Sequence, residues 1–302
     1  MANKKILITG ASGFVGQNVI DVIRATRPEL AIYNLSAEKL QQPGIVDIPC
    51  DAQSFDFSQL PTDFDYVVNL LALSNDRYCA DLAVAEAINV GFTKGLLNWS
   101  KTLPKLKKIV HLSSIIIYDN HNRPPVKEID RLFLNYTNYS FTKGIADFYA
   151  DFYRQKLDLP LITFRLSNIY GPHQQFQDSP FLVPSKIVEG LTEGKITVFN
   201  LQPKRDWIYA GDAAAAIVRS LDSDLIGIYN LASGKGISVE EIVAEIAEQL
   251  GVKYASLEKP TTGPTNFYCD ISKLTNELGW RPTTALKEGL TTTIGDIRDR
   301  IR

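Results

Sequence analysis

Apolar runs rich in β-branched residues alternate with helical stretches through the first half of the chain. Several runs are apolar throughout, which is typical of strands that are covered on both faces. Repeated strand–helix units of this kind predict an α/β fold, a Rossmann-like, doubly wound parallel sheet with helices on both sides. The pattern predicts strands over 4–9, 30–35, 66–72, 108–114 and 161–166, and helices over 14–25, 79–101 and 139–156.

The pattern changes after residue 170, where a stretch rich in proline and glutamine has the composition of a loop. A helix is predicted in "SVEEIVAEIAEQLG", because Ser238 and Glu241 form a capping box and Gly251 suits the C-terminal stop. Asp212 is predicted to cap another helix. These elements predict a smaller α/β lobe, interleaved with the first domain. The predicted boundaries are 1–167 with 206–250 returning to it for the first domain, and 168–205 and 251–302 for the lobe.

Composition and charge narrow the class of protein. Of the 302 residues, 45% are hydrophobic and 22% are charged, which is ordinary for a globular protein. A net charge of −2 gives no reason to expect nucleic-acid binding. The three cysteines and three histidines show no metal-ligand spacing, so no metal is expected. No signal peptide or membrane span is apparent, which predicts a cytoplasmic protein without a membrane partner.

A glycine-rich loop follows the first predicted strand directly and leads into a helix. The stretch "TGASGFVG" contains Gly10, Gly13 and Gly16. Glycine lets the backbone turn tightly and approach a pyrophosphate, and a helix N-terminus offers free N–H groups to an anion. The strand–loop–helix context favours a dinucleotide site over the alternative, a tight turn without a ligand.

A second motif combines a tyrosine with a lysine four residues later. Tyr139 and Lys143 lie one helical turn apart on the same face, whereas Tyr136 has Ser140 in that place. A free phenol has a pKa near 10, and a nearby ammonium group favours the phenolate that could act as a base. Serines 113 and 114 stand at the C-terminal end of a predicted strand, where open α/β sheets bind ligands.

These motifs in this order resemble the extended short-chain dehydrogenase/reductase family, and within it the NAD-dependent epimerases and dehydratases of nucleotide sugars. The resemblance runs through nearly the whole chain. It implies a catalytic trio of Ser114, Tyr139 and Lys143, because Ser114 stands four residues before Tyr118 of the strand-end element. It implies that Tyr136 packs or lines the substrate.

The resemblance also implies a cofactor site. Asn34 stands where NAD-binding folds usually carry an acidic residue for the ribose, so NAD is expected while NADP stays open. Asp51 stands where the family has an aspartate near the adenine, and it could equally cap a turn. The cofactor-binding residues implied are Gly10, Ser12, Gly13, Phe14, Val15, Gly16, Asn34, Asp51, Ala52, Leu71, Ala72, Leu73, Tyr139 and Lys143.

Substrate contacts are implied in the second lobe. The stretch "FRLSNIYGP" resembles the family's crossing into this lobe, which assigns Asn168 to the sugar nucleotide. Arg205, in "KRDWIYAGD", is the natural bidentate partner for a diphosphate, with a surface ion pair as the alternative. Ser74 and Lys259 complete the expected substrate-binding set.

The expected activity is redox chemistry at C4 of a nucleotide-activated sugar, by a 4-epimerase or a 4-ketoreductase. The family's 4,6-dehydratases carry acidic residues just after the catalytic hydroxyl, whereas this chain has Ile115 and Ile116, so elimination is not expected. Two alternatives stay open: a reductase of a non-nucleotide ketone or aldehyde, and a non-catalytic NAD(P)-sensing protein. The resemblance further implies a homodimer packed through the helices at about 80–100 and 139–156.

Overall fold

The computed structural model describes residues 4–261 and 263–301. Helix bounds are α1 Phe14–Thr26, α2 Leu82–Ala85, α3 Thr93–Ser100, α4 Asn138–Leu157, α5 Leu182–Glu193, α6 Ala210–Ser220, α7 Val239–Leu250, α8 Ser272–Leu278 and α9 Leu286–Ile301. Strand bounds are β1 Lys5–Thr9, β2 Ala31–Ser36, β3 Ile45–Pro49, β4 Tyr66–Asn69, β5 Lys108–Ser114, β6 Leu161–Leu166, β7 Asn168–Tyr170, β8 Lys195–Val198, β9 Lys204–Tyr209, β10 Gly227–Leu231, β11 Gly236–Ser238, β12 Lys253–Ser256 and β13 Asn266–Phe267.

A seven-stranded sheet forms the centre of the first domain, in the order β10-β6-β5-β4-β1-β2-β3. Every pair in it is parallel, and the strand order reverses between β1 and β4. Helices α1 and α6 pack on one face through residues such as Ile20 and Ile217. Helices α3 and α4 cover the other face through residues such as Leu96 and Ala150. The predicted Rossmann-like fold is confirmed, and the reversal point is where such sheets bind ligands.

The second lobe contains two small sheets and three helices. Strands β11, β9 and β13 are joined by β7, which pairs with β9, while β12 pairs with β8. Helices α5, α7 and α9 share a separate hydrophobic core that includes Ile187, Ile242 and Ile294. In the part of the chain that the structure describes, no helix is both long and apolar enough to cross a membrane.

The predicted domain boundaries need correction after residue 206. The segment that returns to the large sheet consists of α6 and β10, whereas α7 packs against α5 and α9 in the lobe. Conversely, α8 lies within the predicted lobe but buries Leu274 and Leu278 in the core of the first domain. An apolar stripe predicts that a helix is buried, but it does not say which sheet or helix covers it.

Several predicted elements also differ in detail. The predicted helix over 79–101 is divided, with a π-helical segment, Glu86–Phe92, between α2 and α3. The capping box of α7 is present as predicted, with Gly251 in the left-handed region. Asp212 does not cap α6, because that helix begins two residues earlier. Its carboxylate instead accepts hydrogen bonds from the backbone N–H groups of Thr283 and Thr284 at 3.2 and 3.0 Å.

Candidate active site

The glycine loop connects β1 to α1 and leaves no room for larger side chains. Gly10 has a φ of +69°, and a Cβ there would lie 3.0 Å from the backbone of Leu71. A Cβ on Gly16 would lie 2.4 Å from the carbonyl oxygen of Gly10. Gly13 occupies the N-cap of α1 without a side-chain cap, and the first turn contains no acidic residue. The N-terminus of α1 can therefore accept an anion, as the pyrophosphate of NAD requires.

The segment after β4 runs beside this loop at the reversal point of the sheet. Thr9 donates its hydroxyl proton to Asn69 at 2.7 Å and accepts the backbone N–H of Leu71 at 3.2 Å. The N–H of Leu73 donates to the buried side chain of Asn89 at 2.7 Å. These bonds fix the backbone of 71–73, the segment that was predicted to line the cofactor.

The three expected catalytic residues come from two adjacent elements. Ser114 is the last residue of β5, and Tyr139 and Lys143 lie in the first two turns of α4. Burial raises the pKa of Tyr139 to about 12, and the nearby Ser114 hydroxyl opposes that rise. Burial lowers the pKa of Lys143 to about 8, against the charge of Asp147, which raises it. The C-terminal end of β5 and the first turns of α4 thus supply a hydroxyl, a phenol and an ammonium group to one region.

Two sets of hydrogen bonds define the start of helix α4. Thr137 and Ser140 form a reciprocal capping box. The side chain of Asn138 donates to the backbone carbonyl of Cys79 at 2.9 Å, which ties the helix start to the loop that follows β4. Tyr139 lies between Asn138 and Ser140, so the hydrogen bonds of both neighbouring residues fix its position.

The side chain of Tyr136 contacts residues of the segment between β5 and α4. Its hydroxyl accepts the N–H of Asn120 at 2.9 Å and donates to Asp119 at 3.2 Å, and its ring packs on Phe133 with centroids 4.6 Å apart. Of the two outcomes expected for Tyr136, packing or lining the substrate, the structure shows packing within the loop between β5 and α4.

A buried ion pair behind the trio was missed from the sequence. Arg165 on β6 donates to both carboxylate oxygens of Asp147 on α4, at 2.9 and 3.2 Å, and both side chains are at most 3% exposed. Arg165 also donates to the hydroxyl of Tyr118 at 3.1 Å. Asp147 stands four residues after Lys143 on the same helix face, which was the available signal.

The other expected cofactor residues have contacts within the protein. The N–H of Ser12 donates to the hydroxyl of Ser36 at 3.4 Å. Asp51 is exposed after β3 and accepts the N–H of Gln53 and the hydroxyl of Ser54, in a turn that runs through Ala52. The carboxamide of Asn34 is buried and bonded to neighbouring groups.

The expected substrate residues lie at separate places around the lobe. Asn168 on β7 donates to the backbone carbonyl of Asp206 at 2.9 Å. Arg205 is half-buried, burial lowers its pKa, and it has no acidic partner within 4 Å among residues 4–261 and 263–301. Lys259 is exposed with its ammonium group 4.6 Å from the ring centre of Phe199, and Ser74 is exposed in the loop after β4.

Comparison with known proteins identifies the family. The sequence model of the NAD dependent epimerase/dehydratase family matches residues 6–232, and the chain belongs to that family. It is 27% identical to a putative UDP-glucose 4-epimerase of Methanocaldococcus jannaschii, over 94% of this chain and 95% of that protein. It is 25% identical to dTDP-4-dehydro-6-deoxyglucose reductase of Escherichia coli, over 97% of both chains.

Solved structures of similar fold include more than one activity. A UDP-N-acetylglucosamine 4-epimerase from Methanobrevibacter ruminantium superposes with a TM-score of 0.89, covering 99% of this chain and 100% of that chain at 22% identity. The UDP-glucuronic acid 4-epimerase of Bacillus cereus, in complex with UDP-glucuronic acid and NAD, gives 0.86, covering 98% and 99% at 23% identity. The NDP-hexosamine 5,6-dehydratase TunA gives 0.86, covering 98% of both chains at 20% identity. Fold similarity therefore includes a dehydratase as well as epimerases.

Proposed function

We propose that this protein is an NAD-dependent enzyme that oxidises or reduces C4 of a nucleotide-activated sugar, as a 4-epimerase or a 4-ketoreductase. The observation that carries the proposal is that Tyr139 lies beside the hydroxyl of Ser114, while Lys143, one turn further along α4, donates to Leu112 of the same strand. A protein that only senses the cofactor would not need this trio.

The three side chains divide the proton chemistry between them. NAD, when bound, supplies the hydride acceptor or donor. Tyr139 takes the proton of the substrate hydroxyl in the oxidative direction and returns it in the reductive direction. The phenol by itself is a poor base, because burial raises its pKa to about 12. The charge of Lys143 favours the phenolate, and the hydroxyl of Ser114 orients the substrate oxygen.

The residues after Ser114 argue against an elimination step. A 4,6-dehydratase has to move further protons, and the family's dehydratases carry acidic residues at this place. Here Ser114 is followed by a 3-10 turn of three isoleucines, Ile115–Ile117. Because aliphatic side chains cannot exchange protons, we propose that the reaction stops at redox chemistry on one carbon.

The lobe supplies a partner for the diphosphate. Arg205 is half-buried, and the described part of the chain gives it no acidic partner, so a bound diphosphate would supply its counter-charge. The relatives named above are a putative UDP-glucose 4-epimerase and a dTDP-4-dehydro-6-deoxyglucose reductase, and we propose the same class of substrate, a nucleoside diphosphate hexose.

The two tyrosines of the motif provide a matched test. We expect Tyr139→Phe to lose turnover by at least about a hundredfold, as for removal of an acid–base group, while NAD stays bound. Tyr136→Phe should keep most of the activity, since its hydroxyl bonds only within the loop. Turnover should be measured with UDP-glucose and UDP-N-acetylglucosamine, and with dTDP-4-dehydro-6-deoxyglucose plus NADH. An active Tyr139→Phe enzyme would refute the catalytic assignment, and a 4-keto-6-deoxy product from wild type would refute the exclusion of elimination.

We also propose a homodimer formed through α3 and α4. Phe148 and Phe152 lie one turn apart on α4, and they are 51% and 54% exposed. Two exposed aromatic rings on one helix face favour burial against a second copy. Light scattering of wild type and of Phe148→Asp tests this, and a monomeric wild type would contradict it.

A further inference from the structure

The end of β2 lacks the acidic residue that usually binds the cofactor ribose, and the residue in its place is not free. Asn34 is 1% exposed. Its side-chain nitrogen donates to a carboxylate oxygen of Asp47 at 2.7 Å and to the backbone carbonyl of Glu38 at 3.1 Å. Its side-chain oxygen accepts the hydroxyl of Ser36 at 2.5 Å. The carboxamide is therefore fully bonded inside the protein.

The acidic residue beside Asn34 is Asp47, on the neighbouring strand β3. Strands β2 and β3 are parallel, and Asp47 is the register partner of Asn34. Its carboxylate also accepts the N–H groups of Leu40 and Gln41, each at 3.0 Å. Burial on its own raises the pKa of Asp47, but the hydrogen bonds from Asn34 and the two backbone groups, together with the charge of Lys39, outweigh it and leave the pKa below its usual value. Asp47 is therefore ionised at neutral pH.

This pairing gives a physical reason for the asparagine. An aspartate at position 34 would place two carboxylates side by side, which is destabilising for neighbouring residues of a sheet. Asparagine donates to the carboxylate instead. The pair keeps one negative charge and carries it on β3.

Hydrogen bonds join the end of β2, which carries Asn34, to the glycine loop. The N–H of Gly10 donates to the carbonyl of Leu35 at 3.0 Å, and the N–H of Ser12 donates to the hydroxyl of Ser36. Ser36 in turn bonds Asn34, so one chain of contacts runs from the pyrophosphate loop to Asp47. A dinucleotide with its pyrophosphate on α1 extends its ribose toward the end of β2.

We infer that Asp47 is the residue that selects NAD over NADP, acting from β3 through Asn34. A 2′-phosphate would bring a second negative group toward a fixed carboxylate, whereas the free hydroxyl of NAD would not. The loop after β2 carries Glu38 and Lys39, both exposed and opposite in charge. Arg24, the nearby cation on α1, is held by the side chain of Gln42 and the carbonyl of Pro43.

The test is the ratio of the NADP and NAD dissociation constants, measured on protein freed of bound nucleotide. Wild type should prefer NAD, and Asp47→Asn should reduce that preference by about tenfold, the effect of one screened charge at this range. The charge-swap variant, Asn34→Asp with Asp47→Asn, returns the charge to β2 and should restore the preference. Asp56→Asn removes an exposed carboxylate that only caps a short turn, and it should leave the ratio unchanged.

The outcomes separate this inference from the proposed sugar reaction, since it rests only on dinucleotide binding at the glycine loop. A wild-type preference for NADP, or an unchanged ratio in Asp47→Asn, would overturn it. If Asp47→Asn does not fold, the charge-swap variant decides: loss of NAD preference there also overturns the inference. Absence of sugar turnover, with the ratios as expected, would refute the proposed reaction and leave the assignment of Asp47 standing.

Discussion

The side-chain nitrogen of Lys143 lies 2.7 Å from the backbone carbonyl oxygen of Leu112 and donates a hydrogen bond to it. This bond fastens α4 to β5 two residues before Ser114, so it holds the ammonium group of the helix against the strand that ends at Ser114. The ammonium group is buried there, which lowers its pKa to about 8. The site thus holds its charge at a cost in stability.

Replacing Lys143 by methionine should separate stability from activity. Protonated Lys143 is destabilising when buried, so Lys143→Met should stabilise nucleotide-free protein at pH 7 by about 1 to 3 kcal/mol, while turnover is lost. Between pH 8 and 10.5 the unfolded wild-type chain keeps a proton that the folded protein has released, so wild-type stability rises with pH and the gap should close. Urea denaturation across this pH range measures it, with Lys156→Met, at an exposed site on the same helix, as the control. A gap that does not change with pH would contradict the buried charge.

The pair of Asp147 and Arg165 should be worth far more than a surface pair. Asp147→Asn leaves a buried guanidinium group without its counter-charge, and we expect a loss of about 3 to 5 kcal/mol in the free energy of unfolding. The control lies one turn further along α4, where Asp151 bonds the partly exposed Arg154 at 2.7 Å. Asp151→Asn should cost less than about 1 kcal/mol. Equal losses in the two variants would rule out a special role for the buried pair.

Two glycine-to-alanine substitutions should change the stability of the protein in opposite directions. Gly16→Ala places a Cβ against the carbonyl oxygen of Gly10, so NAD binding should fall strongly and the melting temperature should drop. Gly295→Ala lies within α9, where a Cβ meets nothing within 4 Å. It should stabilise the protein by about 0.5 to 1 kcal/mol, because alanine restricts the unfolded chain. Calorimetry and NAD titration give both values, and unchanged NAD binding in Gly16→Ala would contradict the close packing of the loop.

His111 should make the protein sensitive to acid. It lies on β5, 2% exposed, with its Nδ1 atom 3.0 Å from the side-chain nitrogen of Asn69. Burial, helped by the charge of Lys143, lowers the pKa of His111 to about 3. Between pH 6.5 and 3 the unfolded chain binds a proton that the folded protein does not, so stability should fall by about 1.4 kcal/mol per pH unit as the pH decreases.

The comparison for this effect is His111→Gln against His121→Gln. Glutamine at 111 keeps an acceptor for Asn69 but cannot titrate, so the acid-dependent loss should become smaller. His121 has a side chain that is 91% exposed and bonds Asp119, a carboxyl group whose pKa lies below its usual 3.8. Its replacement should therefore leave the slope above about pH 5 unchanged. Identical slopes in all three proteins would show that other groups cause the loss.

Periodicity and motifs predicted most of the first domain. Strands such as β5 and β6 begin and end where the apolar runs do, because strands covered on both faces must be apolar throughout. The glycine spacing and the pair of Tyr139 and Lys143 predicted the place of the site, since these signals act within one or two turns of chain. The roles given to these residues stay predictions until the variants are measured.

The errors share one cause. The helix α7 was assigned to the wrong domain although its cap and length were predicted well, because its apolar face fits any partner. Asp212 was expected to cap its own helix, but its partners, Thr283 and Thr284, lie about seventy residues further along the chain. Local rules cannot choose between nearby and distant N–H donors for the same carboxylate.

The sequence by itself determined the fold class, the family, and the place of the glycine loop and the tyrosine motif, because period, spacing and caps are local properties. The tertiary structure alone decided that Asn34 lies opposite Asp47 and that Asp147 meets Arg165. Both pairings depend on strand register and on how a helix packs on the sheet. Such contacts form only when the whole core is assembled, and burial then strengthens the electrostatic interaction within each pair.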